Sequence, residues 1–278
     1  MSQQGAPAAR TLADDHRRMC EAVRRAGAAA LARFERHDTK SWSKDDDSPV
    51  SEADYEANDL LREGLTASGD GYGWLSEESV DDQARLSAPR TWIVDPIDGT
   101  RAFLKGLPHF AVCVALVEDG QAVASAIFNP ATDEFFEAVR GGGARVNGEA
   151  LSASTSCDLV GCHMLGARRM FEHEGWPRRW PEMRLGYRNS TSYRMALVAA
   201  GGFDATVALV PKADWDTAPG ALIAQEAGAR ASDHLGQPFR FGRAHPWQRG
   251  LVCAAPGVYP AIIERLAHLP GDLSTLRV

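Results

Sequence analysis

The segment WIVDPIDGT at 92–100 gathers the residue types most able to do chemistry. An apolar run, Trp92 to Val94, ends in Asp95; Pro96 restricts one backbone dihedral, and a second carboxylate follows at Asp98. Two acids held close at a strand end suit a hard cation, which takes oxygen ligands from carboxylates, backbone carbonyls and water. Gly99 and Thr100 add uncluttered backbone N–H groups and a hydroxyl. If a turn or helix starts there, those N–H groups favour an anion, and phosphate is a natural guest. Taken alone, the segment reads equally well as an Asp-Pro turn closed by a capping threonine.

Other acids shift that balance. LSEES at 75–79 places Glu77 and Glu78 after a short apolar segment, and DWDTAPG at 214–220 places Asp216 at the start of a helical pattern. A fourth cluster is Asp45 to Asp47. A glutamate pair is ordinarily a solvated loop, and an Asp before a helix is ordinarily its N-cap. Three clusters at strand ends or helix starts of one chain, with this fourth, are a less ordinary set. Metal-assisted displacement at phosphorus needs several carboxylates with a hydroxyl and N–H donors, and this chain supplies them.

The residues also support a resemblance. WIVDPIDGT followed by Arg101, Ala102 and Phe103, with SEES upstream and WDTAPG downstream, resembles in order and separation the signature motifs of the inositol monophosphatase superfamily of metal-dependent, lithium-sensitive phosphatases. The similarity runs from about Ala13 to the C-terminus and includes KDDDSPVSEAD at 44–54, GLPHF at 106–110 and VAAG at 198–201. It implies that Glu77, Asp95 and the backbone carbonyl of Ile97 hold one Mg²⁺, that Asp95, Asp98 and Asp216 hold a second, and that Glu77 with waters holds a weaker third. By the same resemblance Gly99 and Thr100 contact the phosphate, and the Thr100 hydroxyl pairs with an acid of the lysine-containing loop, Asp46 or alternatively Asp47, to orient and deprotonate water. Ser51 stands where Thr is commoner, and Pro219 where Ala is commoner; a proline in the first turn of a helix is tolerated.

The expected activity is hydrolysis of a small phosphorylated metabolite, a 3′(2′),5′-bisphosphate nucleotide or an inositol monophosphate, with histidinol phosphate as the alternative. Basic candidates for the rest of the substrate are Arg168, Arg169, Arg188, Arg194 and Lys212. Of these, Arg188 and Lys212 lie in segments that resemble the family's substrate-facing loops. A non-catalytic cation-binding protein on the same fold is the competing class; a water-activating pair at Thr100 argues against it.

The elements that must position these groups follow from periodicity. Apolar residues at helical spacing predict a long amphipathic helix over 11–34, with Gly27 inside it at a cost of about 1 kcal/mol relative to Ala. The polar stretch 37–48 reads as a loop or hairpin, and a second helix over 52–66 follows Ser51 as N-cap. Strand-like runs at 74–75, 92–94, 110–117 and 122–128 come next, with Asp-Gly at 119–120 marking a hairpin. Later elements are helices at 192–200, 217–227 and 259–267 and strands at 203–210 and 250–254. The fold class expected is α+β, and the resemblance specifies a layered α-β-α-β-α sandwich. Residues 1–10 are expected to be disordered, 11–155 to form an N-terminal α+β half, and 156–278 a C-terminal α/β half of one compact unit.

Composition narrows the classes further. Among 278 residues, 44% are hydrophobic and 24% charged, ordinary values for a globular chain, and the net charge is −7. That sign argues against a nucleic-acid polymer or an anionic membrane as partner. No apolar run approaches the roughly 20 residues that span a bilayer, and the first residues lack a secretory pattern, so a cytoplasmic location is expected. Five scattered cysteines read as reduced thiols. A homodimer is expected from the resemblance alone.

Overall fold

The structure is a computed structural model that describes residues 11–45, 47–66 and 69–271. The chain begins with α1 (Leu12–Arg36), a hairpin of β1 (Ser41–Ser43) and β2 (Pro49–Ser51), and α2 (Glu52–Thr66). β3 (Gly73–Ser76), β4 (Thr91–Asp98), the one-turn helix α3 (Thr100–Phe103), β5 (Ala111–Glu118) and β6 (Gln121–Asn129) follow. β7 (Glu134–Val139), β8 (Ala144–Val146) and β9 (Glu149–Ala150) complete a seven-stranded sheet in sequential order β3 to β9. Next come β10 (His163–Leu165), α4 (Arg168–Phe171), β11 (Arg184–Gly186), α5 (Thr191–Ala199), β12 (Ala205–Ala208), β13 (Lys212–Ala213) and α6 (Asp214–Glu226). β14 (Arg230–Ser232), β15 (Trp247–Gln248), β16 (Leu251–Ala254) and α7 (Tyr259–Leu266) close the described chain. The second sheet has the order β11-β10-β12-β16-β14, and β13 pairs with β15 in a separate ribbon.

Burial dictates the layering. β5 is apolar on both faces because Val112, Val114 and Leu116 pack towards α1 and α2, while Cys113, Ala115 and Val117 pack towards α5 and α6. A continuous apolar run, rather than alternation, is the signature of a strand covered on both sides. α5 and α6 fill the space between the two sheets, meeting Ile93 and Cys113 on one side and Leu251 and Cys253 on the other. Met170 and Phe171 of α4, with Tyr259, Ile262 and Leu266 of α7, pack with Met164, Val207 and Val252 in a third core beyond the second sheet. The order is therefore helix, sheet, helix, sheet, helix, the α+β sandwich expected.

Local chemistry explains the boundaries. Thr11 Oγ1 accepts the Asp14 N–H at 3.2 Å to start α1, and His37 ends it in a left-handed conformation. The Asp119-Gly120 turn has positive φ at both residues, as a two-residue hairpin requires. One expectation is corrected. α6 begins at Asp214, three residues before the predicted start, so Pro219 lies in its second turn and not its first. There a proline removes a helical hydrogen bond. Short strands such as β10 and β11 carry too few residues to show a period, and β7 is interrupted by Glu137; none was expected. Residues 1–10 lie outside the described residues.

Gly27 has a packing reason. A Cβ at this position would stand 2.3 Å from a ring carbon of Phe128 on β6, so the glycine lets α1 lie close against the sheet. Gly27→Ala is expected to lower the melting temperature despite its better helix propensity. Overpacking of this kind costs about 1–3 kcal/mol, roughly 2–4 °C per kcal/mol for a chain of this size. A raised melting temperature would show that propensity dominates at this site.

Candidate active site

Asp95 and Asp98 are three residues apart, so in a regular strand their side chains would point to opposite faces. β4 is not regular there. Asp95 pairs with Cys113 and Asp98 with Ala111, so β4 carries one residue more than β5 over this stretch. The core membership of neighbours records the switch: Trp92 and Val94 face α1 and α2, Ile93 faces α5 and α6, and Ile97 faces α1 and α2 again. The bulge thus turns Asp95 and Asp98 to the same side. Pro96, which has no N–H to place in the ladder, sits where the ladder is interrupted.

α5 and α6 bring the remaining groups to that side. Asp98 accepts the Ser190 hydroxyl at 2.7 Å and the backbone N–H groups of Thr191 and Ser192 at 3.1 and 2.7 Å, so the first turn of α5 clasps the strand end. Ser192 Oγ in turn donates to the Asp216 carbonyl at 2.7 Å, joining α5 to the first turn of α6. Asp216 Oδ2 accepts the Ala213 N–H at 3.1 Å, and Lys212 Nζ stands 3.9 Å from the same oxygen. Carboxylate oxygens of Asp95, Asp98 and Asp216 consequently lie within 4.8 Å of one another.

Burial and mutual repulsion raise these carboxyls. Asp95 is pushed well above the ordinary carboxylate range by burial, then by the charges of Glu77, Asp98 and Asp216. Asp98 is raised to about 7 by burial and Asp216, against the hydrogen bonds from Ser190 and Ser192. Asp95 Oδ1 is buried with no hydrogen-bond partner. An acceptor-only oxygen orphaned among like charges fits a hard divalent cation, whose preferred ligands are carboxylates. The other convergent group among the described residues, His16, Cys20 and Glu137 on α1 and β7, contrasts with it: contacts of 3.2 to 3.4 Å link its members to one another.

Glu77 arrives from β3. β3 and β4 run parallel, the last residue of β3, Ser76, pairs with Val94, and the Glu77 N–H donates to Val94 O at 3.2 Å. Its carboxylate is taken by Lys44 Nζ at 2.9 Å, and Lys44 also reaches Glu78 at 2.6 Å. Burial opposes the charge of Lys44, but the two glutamates outweigh it and raise its pKa. Burial lifts Glu78 to about 7 against the Lys44 hydrogen bond. Glu77 is therefore beside the three aspartates, near enough to raise Asp95, but lies outside their 4.8 Å group.

The Thr100 hydroxyl has a partner that the motif reading did not select. It stands 3.0 Å from Asp54 Oδ1 and 3.0 Å from the Ile97 carbonyl, one proton facing two acceptors. Asp54 lies in the first turn of α2, where its other oxygen accepts both the N–H and the hydroxyl of Ser51 at 2.8 and 2.6 Å. Burial raises Asp54 to about 6, against the hydrogen bonds of Ser51 and Thr100. Asp47 does not take this position: it is exposed, has a left-handed backbone, and offers its carbonyl to Arg101 at 3.2 Å. Asp46 lies outside the described residues. The signal available was Ser51-x-x-Asp54, an N-cap followed by an acid three residues on.

Gly99 is required by space as well as conformation. Its φ is +102°, and a Cβ would meet His109 O at 2.6 Å and Ser190 N at 3.2 Å. Gly99 and Thr100 open the one-turn helix α3, where the first N–H groups lack intrahelical partners. Arg188 is half-buried and donates to the Tyr187 carbonyl at 2.8 Å, whereas Lys212 is held beside Asp216 by β13.

Comparisons with known proteins agree with this geometry. The model of the inositol monophosphatase family matches residues 13–270. An inositol-1-monophosphatase of Rhizobium meliloti is 37% identical over 77% of this chain and 81% of its own. A histidinol-phosphatase of Chlorobaculum parvum is 32% identical over 78% and 85%. The crystal structure of the extragenic suppressor protein suhB from Bartonella henselae superposes with a TM-score of 0.78 at 26% identity, covering 91% of this chain and 98% of that one. With a bulged strand end, three convergent aspartates and a match over nearly its whole length, the chain belongs to the inositol monophosphatase family and is a metal-dependent phosphatase.

Proposed function

We propose that this phosphatase is a Mg²⁺-dependent phosphomonoesterase of a small metabolite, either a 3′(2′),5′-bisphosphate nucleotide or an inositol monophosphate, with histidinol phosphate the alternative. The observation that carries the reading is the buried Asp95 oxygen without a hydrogen-bond partner where three carboxylates converge, a donor set that suits a divalent cation. Asp95, Asp98 and Asp216, with Glu77 and the Ile97 carbonyl at the rim, would hold two or three Mg²⁺. Bound there, the metal would supply Lewis acidity, lowering the pKa of water and neutralising charge on the phosphoryl group.

The chain's own groups do the rest. Gly99 and Thr100 direct backbone N–H groups at the phosphate oxygens. The Thr100 hydroxyl orients the attacking water and passes its proton to Asp54, whose carboxyl, raised to about 6, is close to the range of an effective base near neutral pH. Asp54 replaces Asp46 and Asp47 in that role. Lys44 keeps Glu77 and Glu78 compatible in one loop. A pure cation-binding protein would have no use for the Thr100–Asp54 pair, which favours the enzyme reading.

Phosphate release from a panel of 3′-phosphoadenosine 5′-phosphate, inositol 1-phosphate and histidinol phosphate tests the reading. Release is expected with Mg²⁺, to vanish on chelation, and to fall with millimolar lithium; Asp95→Asn is expected to be nearly inactive yet folded. No release from any ester, with metal binding intact, would leave a cation-binding protein. Thr100→Ala and Asp54→Asn are each expected to lower kcat by about 10²–10⁴, the range of general acid–base contributions. Either variant turning over at the wild-type rate would remove the pair from the mechanism.

The raised carboxyls also make a thermodynamic prediction. Asp54, Glu78, Asp95 and Asp98 bind protons more tightly folded than unfolded. Between about pH 4 and 7 the metal-free folded chain therefore holds more protons than the unfolded chain, and their contribution to stability is lost as pH rises. A divalent cation competes with those protons. The gain in melting temperature on adding Mg²⁺ is expected to be larger near pH 8 than near pH 5.5; equal gains would show that Asp95 and Asp98 do not hold the ion.

A further inference from the structure

A second convergent set of side chains lies apart from the carboxylates. His16 and Cys20 stand four residues apart on α1, on the same face of the helix, and Glu137 meets them from β7. One atom of each faces both of the others: His16 Nε2 is 3.2 Å from Glu137 Oε2 and 3.4 Å from Cys20 Sγ, and Cys20 Sγ is 3.3 Å from the same Glu137 oxygen. All three residues are partly open to solvent. They belong to the far end of the sheet from the active site. Asp15, next to His16, accepts from Arg90 at 2.8 Å just before β4 begins, whereas Asp95 lies about 17 Å further along that strand.

Hydrogen bonds account for only part of this triangle. The hydrogen bond with His16 holds the Glu137 carboxyl below the usual range, so it carries no proton, and the thiol and the ring nitrogen carry at most one each. Two protons at most therefore serve three edges. The contact between His16 and Glu137, at 3.2 Å, is also longer than a charge-assisted pair, which closes to about 2.7–2.9 Å. A tetrahedral zinc ion accounts for all three edges together. With bonds of about 2.0–2.1 Å to nitrogen and oxygen and about 2.3 Å to sulfur, its ligand atoms stand about 3.3–3.6 Å apart, so each edge of the triangle need open by no more than about 0.3 Å.

The chemistry of the three groups agrees with the geometry. Thiolate, imidazole and carboxylate are the ligands of zinc, whereas Mg²⁺ takes oxygen. Thiolate and carboxylate together match the charge of Zn²⁺, and a neutral imidazole adds none. Two features oppose the ion. Arg24, whose guanidinium sits 3.7 Å from the centre of the Phe135 ring, is the nearby cation. Burial and the charge of Glu137 push the Cys20 thiol up, so the ion must expel a proton, as coordination of a thiol does.

We propose that His16, Cys20 and Glu137 form a Zn²⁺ site, completed by a water molecule, that fastens α1 to β7. Sulfur, ring nitrogen and carboxylate oxygen each give an electron pair to the metal, and the thiol proton passes to solvent. Three protein ligands leave the fourth position open, which makes the ion exchangeable. The site stands independently of which phosphate ester the enzyme takes.

The test uses the full chain with excess Mg²⁺, so that the carboxylates at the end of β4 are already occupied. Zn²⁺ is expected to bind and to raise the melting temperature, because an ion that joins two elements favours the folded state. Co²⁺ in its place is expected to give a thiolate-to-cobalt charge-transfer absorption, which oxygen ligands cannot produce. Cys20→Ser is expected to abolish that absorption, and His16→Gln and Glu137→Gln each to weaken Zn²⁺ binding by at least tenfold, read by titration calorimetry. The variants lie on two elements, so a folding defect in one leaves the others to decide. Absence of the absorption in the wild type, or its survival in Cys20→Ser, would overturn the site. Equal Zn²⁺ affinity in the wild type and in His16→Gln and Glu137→Gln would overturn it as well and leave a hydrogen-bonded triad. Phosphate release with Mg²⁺ is expected to be unchanged in all three variants, which separates this site from the catalytic one.

Discussion

Mutual repulsion among Asp95, Asp98 and Asp216 is the constraint around which the fold is arranged. At an effective dielectric of about 20, two unit charges 4 Å apart repel by about 4 kcal/mol, and here three acids converge within 4.8 Å. The structure tolerates this by anchoring each one to a different element. Asp95 is set in a fully buried strand, Asp98 is clasped by the first turn of α5, and Asp216 is fixed in the first turn of α6. α5 and α6 are themselves locked together, with Gly220 of α6 packed so close to Met195 that a Cβ there would stand 2.7 Å from that side chain. In this rigid arrangement the repulsion raises the carboxyls and favours bound protons, whose place a divalent cation would take.

The same arrangement explains why the bulge in β4 matters more than any single ligand. One extra residue turns two carboxylates to one face, and the proline in that stretch has no N–H for the ladder to lose. The bulged end is then followed by Gly99, which no other residue could replace without meeting His109 and Ser190. Strand, bulge, glycine and one-turn helix follow one another without a break, so two acids turned to one face are succeeded directly by Gly99 and Thr100. Parallel pairing with β3 delivers Glu77 to the same end of the sheet.

Much of this was legible in the order of residues. Long amphipathic periods marked α1 and α2 because one face of each must meet the sheet, and the Asp-Gly hairpin marked β5 and β6 because only a tight turn separates two apolar runs. The carboxylates at 95, 98 and 216 stood out only as a set and through the resemblance to the family motifs, because each alone reads as an ordinary turn or helix cap. Less was legible where the signal was short or shared. Asp54 looked like one more acid in the first turn of a helix, a place where acids are common. Its Ser51 bonds are an ordinary cap, and only the approach of Thr100, 46 residues on in sequence, distinguishes it. Arg194 likewise was one of five basic candidates with nothing to set it apart, and only the packed structure buries it.

Residue types and local spacing by themselves determined the chemistry available to this protein: hard oxygen ligands, a hydroxyl, an anion-favouring turn and the family motifs that join them. Only the tertiary structure decided which acid meets the threonine, which lysine neutralises the glutamates, and which arginine is buried without a counter-ion. The physical reason is that ligand type is a property of a side chain, whereas proximity and burial depend on how distant elements pack. Charge balance in a pocket is the sum over all of them.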